Sequence, residues 1–245
     1  PSVGRKFLLA GKGGLNLTHS EAFAAFASRY GSRRAQIEPL LAAFTPQALR
    51  EWVEALGVTT FVGTSGRVFP DGMKAAPLLR AWLQRLREAG VRFHVRHRWI
   101  GWHEDGSLTF TTPDGPRHYM ANATVLALGG GSWAKLGSDG AWVPLLAERG
   151  VDVAPLQPAN CGFIVASPRA EQGTGWSEHF RSRFAGQPIK SIAMRLDGDT
   201  TPARPGEAMI SDDGIEGSLV YALSAPIRDA IHSGSSATLR VDLSP

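Results

Sequence analysis

Residues 123–128 read ATVLAL, a run without a charge, and the chain then breaks into Gly129-Gly130-Gly131-Ser132. A strand with no polar alternation suits burial on both faces, which is the habit of parallel sheets in α/β proteins. Glycines at the carboxyl end of such a strand let backbone approach a ligand closely. A tight strand-to-helix turn uses the same residues. Leu136–Gly140 leads into a helix predicted over Ala141–Glu148 and closed by Gly150, with Asp139 placed either at an anion-facing N-terminus or simply as its cap.

A second glycine segment, GRKFLLAGKGGLNLTHSE, spans Gly4–Glu21. Lys6–Ala10 reads as a short apolar strand running into the loop. A phosphate loop of the nucleotide-hydrolase type needs a glycine, four residues and then Gly-Lys-Ser/Thr. Here Gly13 follows Lys12, and that reading fails. The dinucleotide pattern GxGxxG fails as well, because Gly11 and Gly13 fit but the last position is Asn16. What survives is a weaker anion cradle: exposed backbone N–H groups at the glycines, with charge from Arg5, Lys6 and Lys12. An ordinary turn with solvated lysines would look the same.

Between the two segments the pattern is first helical, then β-rich. Thr18 or Ser20 is expected to cap a helix carrying Phe23 and Phe26, and helices follow over Gln36–Phe44 and Pro46–Leu56. Residues 61–72, FVGTSGRVFPDG, read as a hairpin turning at Ser65-Gly66. The strongest helix is Met73–Glu88, with Leu78, Leu79, Trp82, Leu83 and Leu86 on one stripe and a stop at Gly90. Strands are then predicted at Val91–Val95, Trp99–His103, Leu108–Thr112, Arg117–Met120 and Thr124–Leu128, with meander turns at Asp105-Gly106 and Asp114-Gly115. Beyond Pro155 the texture changes. Short strands are expected at Cys161–Ala166, Ile189–Leu196, Glu207–Ile210 and Thr238–Asp242, with a helix near Leu219–Ile231. The domain boundary falls near residues 151–157.

The 245 residues are 43% hydrophobic and 20% charged, enough to bury a sizeable core. No apolar run is long enough for a bilayer, so no membrane is expected. The one cysteine, Cys161, excludes an internal disulfide and suits a cytoplasmic setting; its apolar neighbours suggest a structural thiol. The net charge of +4 is mild, and acidic residues interrupt the basic clusters. A small-molecule anion is therefore a better expected partner than nucleic acid. The competing reading is an anion- or nucleic-acid-binding module on a basic strand, Arg92–Arg98. His94 and His97 would point to opposite faces of that strand, as would Trp99 and Trp102 if theirs is regular, and no metal site is expected. No Gly-x-Ser-x-Gly elbow occurs.

Taken in order, GRKFLLAGKGGLNLTHSE, then GRVFPDGMKAAPLLRAWLQRLREAGVRFHVRHRWIGW, then ATVLALGGGSWAKLGSDG resemble the bacterial flavoproteins described as aminoacetone-oxidase-like or HI0933-like NAD(P)/FAD-dependent oxidoreductases. GEAMISDDGIEGSLVYALS is similar to a Gly-Glu…Gly-Ile-x-Gly segment of their inserted domain. The resemblance implies an α/β fold: a three-layer Rossmann-like FAD-binding domain with a β-meander, plus a smaller inserted α+β domain. Its members open with a βαβ unit carrying GxGxxG, so it implies that this chain is a fragment starting after that unit and stopping before the closing segment. Residues 1–152 would then be a partial FAD-binding domain, and 153–245 part of an inserted substrate or cap domain.

The implied cofactor is FAD, with NAD(P)H as a possible electron donor and an unidentified small-molecule substrate. By matched motif, Arg5 and Lys6 would lie on the adenosine or pyrophosphate side. Gly11, Lys12, Gly13, Gly14, Asn16 and Leu17 would line the cofactor toward the flavin. The backbone at Arg98 and Trp99 would meet the adenine, and Ala127, Leu128, Gly129 and Gly130 would form the turn beside the dinucleotide. Leu128 replaces the usual threonine, which removes a hydroxyl. Leu15 stands before Asn16 where many relatives have a cysteine, so no thiol is expected near the flavin. A scaffold of this type without its cofactor is the remaining alternative.

Overall fold

The computed structural model describes residues 2–166, 173, 175–234 and 236–245. The chain divides into two compact units, Pro1–Asp152 and Val153–Pro245.

The first unit opens with helix α1, Arg5–Ala10. The strand expected over Lys6–Ala10 is therefore corrected to a helix. RKFLLA contains helix formers and one aromatic with no residue branched at Cβ, and a run this short carries no decisive periodicity. Gly4 enters it at φ 78 and Gly11 ends it. Strand β1 (Thr18–His19), helix α2 (Phe23–Ser28), α3 (Arg34–Ala43) and α4 (Pro46–Glu54) follow. Neither Thr18 nor Ser20 caps α2, because Thr18 is a buried member of β1 and Ala22 is the N-cap. In α4, by contrast, the Thr45 hydroxyl accepts from the Ala48 N–H at 3.0 Å, with Pro46 opening the helix.

Strands β2 (Thr60–Val62) and β3 (Arg67–Pro70) form the expected hairpin, and β1 pairs with the far side of β3. Helix α5 spans Ala75–Glu88. Ala75 and Leu78 are buried with Leu15 and Val53, and Phe7, Leu17 and Trp52 pack against them. Trp52 and Trp82 meet edge-to-face at 5.1 Å, and Phe7 touches Trp82 at 6.4 Å. The core thus ties α1 and the loop after it onto α4 and α5.

Strands β4 (Arg98–Trp102), β5 (Leu108–Thr112) and β6 (Gly115–Tyr119) make the antiparallel meander. A bulge between Trp99 and Gly101, with Gly101 at φ 116, interrupts the alternation of β4. The rings of Trp99 and Trp102 consequently meet at 4.8 Å instead of pointing apart. Val91–Val95 is not a strand. Arg96 turns the backbone at φ 59, and the His94 and His97 rings come together at 5.2 Å, which corrects the expectation of opposite faces.

Thr124–Leu128 is also not a strand. Val125 is 90% exposed, and among the described residues no strand pairs with the segment. A strand exists only through its hydrogen-bonded neighbours. Helix α6, Trp142–Ala147, completes the unit, and the turn after it reaches Gly150 at φ 75.

The second unit is a five-stranded sheet in the order β11-β8-β9-β10-β7. Its members are β7 (Phe163–Ile164), β8 (Pro188–Leu196), β9 (Arg204–Ile210), β10 (Gly214–Glu216) and β11 (Leu239–Asp242). Helix α7 (Glu178–Phe184) and strand β10 were not anticipated, each being too short to show a period. The expected helix near Leu219–Ile231 is two, α8 (Ser218–Ala222) and α9 (Ser224–Gly234), meeting at Leu223. Ile192, Met194, Ala208, Leu219, Val220, Leu223 and Ile227 form its core. Cys161 is half-buried and free.

The fold class is α/β, and the described strand pairs are all antiparallel. No helix among the described residues is long and apolar enough to cross a membrane.

Candidate functional site

The site is built from two glycine segments more than a hundred residues apart in sequence. Helix α1 holds Lys6 half-buried, and its ammonium donates to Ser138 Oγ at 3.0 Å and to Ser132 Oγ at 3.2 Å. Ser138 is 6% exposed, and its hydroxyl donates in turn to the Gly130 carbonyl at 2.9 Å. Trp133 and Ser138 exchange backbone hydrogen bonds at 2.9 and 3.1 Å, closing the loop that follows the glycines. Gly129 adopts φ 72, a left-handed conformation suited to glycine at the start of that loop. Lys6, Gly129 and Gly130 are thereby brought together. Lys135, from the same loop, joins Gly4, Arg5, Lys6, Phe7 and Leu136 around a cavity of about 330 Å³.

The loop is also fastened to the meander. Arg98 on β4 donates to Asp139 Oδ2 at 2.8 Å, while Asp139 Oδ1 accepts from the Ala141 N–H at 3.1 Å. The Arg98 guanidinium, then the Ala141 amide, hold the Asp139 carboxyl below its ordinary value. Asp139 does not cap α6, whose N-cap is Ala141. These contacts correct the reading of Arg92–Arg98 as a free basic strand: only Arg98 belongs to a strand, and its charge is paired.

Gly11–Leu17 begins at the other end of α1, with Gly11 about 7.5 Å along the helix axis from Lys6 at 1.5 Å per residue. Here the glycines have two different duties. A Cβ on Gly11 would lie 2.6 Å from Ala75 Cβ, so Gly11 is buried to let the loop meet α5. A Cβ on Gly13 would meet nothing within 4 Å, and Lys12, Gly13 and Asn16 are exposed. Gly14 takes φ 142, and Leu17 is half-buried with its N–H on the Val68 carbonyl at 2.8 Å. Ala127 is exposed and Leu128 half-buried, neither in a strand.

Sequence reasoning did not single out Ser132, Lys135 or Ser138. Their signal lay in the quoted GGGSWAKLGSDG, where small hydroxyls and a lysine follow the glycines at short range.

An FAD-sized group can be tested against these residues. A diphosphate is dianionic, and Arg5, Lys6 and Lys135 all line one cavity. Backbone at Gly13 and Gly130 has open space where a side chain would stand. Trp99 Nε1 is buried and has no acceptor among the described residues, in the strand expected to face the adenine. These features fit the cofactor, whereas Gly11 is taken up by protein packing. Among the described residues no cluster of three or more His, Cys, Asp or Glu side chains could hold a metal ion.

Two comparisons with known proteins bear on this arrangement. A 3-dehydro-bile acid delta(4,6)-reductase from Clostridium scindens is 26% identical over 245 residues, which is 100% of this chain and 56% of the reductase. The chain therefore spans about half the length of the curated relative it matches. The family described as "HI0933-like protein Rossmann domain" matches residues 1–234. Matched over nearly its whole length, with its two glycine segments joined through Lys6 and Ser138, this chain belongs to the HI0933-like Rossmann domain family.

Proposed function

We propose that the chain is part of an FAD-dependent oxidoreductase that passes hydride between its flavin and a small organic substrate, with NADH or NADPH as the reductant. The observation that carries this reading is the bonded series from Lys6 Nζ through Ser138 Oγ to the Gly130 carbonyl. It gathers positive charge and exposed backbone at one place. Bound flavin would supply the hydride chemistry itself. Arg5, Lys6 and Lys135 offset the charge of the diphosphate. The Trp99 indole N–H offers a donor to an adenine ring nitrogen, and Ser138 fixes the Gly129-Gly130 backbone where it meets the dinucleotide.

The family match and the reductase name of the Clostridium scindens relative support an oxidoreductase working in the reducing direction. In this reading residues 1–152 are part of the FAD-binding domain, residues 153–245 part of an inserted substrate or cap domain, and the enzyme works in the cytoplasm.

The test is the absorption spectrum of the full-length protein with FAD, followed by anaerobic titration with NADH and NADPH. A yellow protein bleached by one of them is the expected result. A preparation that is colourless, and stays so after FAD is added, overturns the reading.

A further inference from the structure

The loop Gly11–Leu17 takes its course from β3 and the segment between β3 and α5. Leu17 donates to the Val68 carbonyl at 2.8 Å, and Leu15 donates to the Met73 carbonyl at 2.9 Å. Met73 is unusual within that segment. It stands at φ 58 directly after Gly72 at φ 71, so two successive residues are left-handed and the second carries a side chain. Glycine or asparagine adopts that conformation with less strain than a long side chain does. Strained backbone persists where the surrounding structure holds it in place.

The side chain at position 73 makes a specific contact. A Cβ built on Gly14 would lie 2.7 Å from Met73 Cε, so the thioether methyl rests on the bare backbone of Gly14. Gly14 itself needs its φ of 142. Backbone and side chain of one residue therefore grip two consecutive residues of the loop.

We propose that Met73 is a positioning residue for the Gly11–Leu17 loop. Its left-handed backbone aims a carbonyl at the Leu15 N–H, and its thioether fills the space beside Gly14. This holds the exposed Gly13 and Asn16 in the orientation they present to the flavin. The inference rests on the functional reading above only in naming flavin as what the loop faces.

The experiment compares the full-length protein with its Met73→Gly and Met73→Ala variants. Glycine relaxes the left-handed backbone, so Met73→Gly is expected to melt no lower than the parent. Amide exchange at Leu15 is expected to quicken about ten-fold through local opening, and FAD affinity to fall by about the same factor. A residue with a purely structural role would move melting temperature and affinity in the same direction. Met73→Ala removes the thioether alone and decides the matter if the glycine variant does not fold. Leu15 exchange and FAD affinity both within about two-fold of the parent would overturn the proposal. If the parent itself takes up no FAD, the functional reading falls, and Leu15 exchange still decides the role of Met73.

Discussion

The Lys6 ammonium donates to Ser138 Oγ at 3.0 Å, and the same hydroxyl donates to the Gly130 carbonyl at 2.9 Å. One half-buried cation thus bonds a loop residue 132 positions further along the chain. Replacing it by methionine removes both the charge and the donor while keeping the length. FAD affinity is predicted to fall roughly ten- to a hundred-fold, the scale of a hydrogen bond from a charged group. Ser138→Ala, which leaves the lysine in place, is predicted to weaken it less. Titration of flavin fluorescence measures both; equal affinities in the parent and Lys6→Met would refute the assignment.

The Arg98–Asp139 pair carries a pH signature. The Asp139 carboxyl is held below its ordinary value chiefly by Arg98. A group whose folded value is depressed contributes stability above its unfolded value, near 3.9 for aspartate, and loses it as pH falls through the folded value. Melting temperatures of the parent and Asp139→Asn are predicted to differ most above the ordinary aspartate range and to converge as pH falls below it. Two curves that stay parallel through this window would show that the pair contributes nothing.

The glycines of the first segment separate into packing and open positions. Gly11→Ala places a Cβ 2.6 Å from Ala75 Cβ and is predicted to cost about 1–3 kcal/mol of stability through overpacking. Gly13→Ala meets nothing within 4 Å and is predicted to change stability by less than about 0.5 kcal/mol. Chemical denaturation of the two variants gives both numbers. The reverse ranking would contradict the loop's described course.

In the second unit the sharpest single position is Gly214, where a Cβ would lie 1.9 Å from the Phe163 carbonyl oxygen. Backbone cannot yield as a side-chain tip does. Gly214→Ala is predicted to part β7 from β10 and to cost about 3 kcal/mol or more. Unfolding curves, with amide exchange at Ile215 and Phe163, would detect both effects.

Local chemistry made much of this fold legible in the sequence. The stripe of α5, the Ser65-Gly66 hairpin and the meander turns are written in short-range patterns, and each was found where expected. Four errors have other causes. Lys6–Ala10 was too short for its period to separate helix from strand, and its composition decided in favour of helix. At Trp99 one inserted residue reversed the alternation, and nothing but Gly101 marked the spot. Val91–Val95 and Thr124–Leu128 have the composition of strands, but pairing depends on neighbours that a local pattern does not encode. The candidate site was half legible: the glycines and Lys6 were visible, while Ser138 acquires its role only when the loop folds back on α1.

The exposed run at 124–128 also has a practical consequence. Val125 at 90% and Leu126 at 41% exposure sit in an uncharged apolar segment without proline, in which Thr124 and Val125 are β-branched. Such segments nucleate intermolecular cross-β stacking. Handling of the isolated chain will therefore be governed less by its melting point than by how often two copies meet at this run. Val125→Lys is predicted to raise the concentration at which light scattering begins while leaving the melting temperature unchanged.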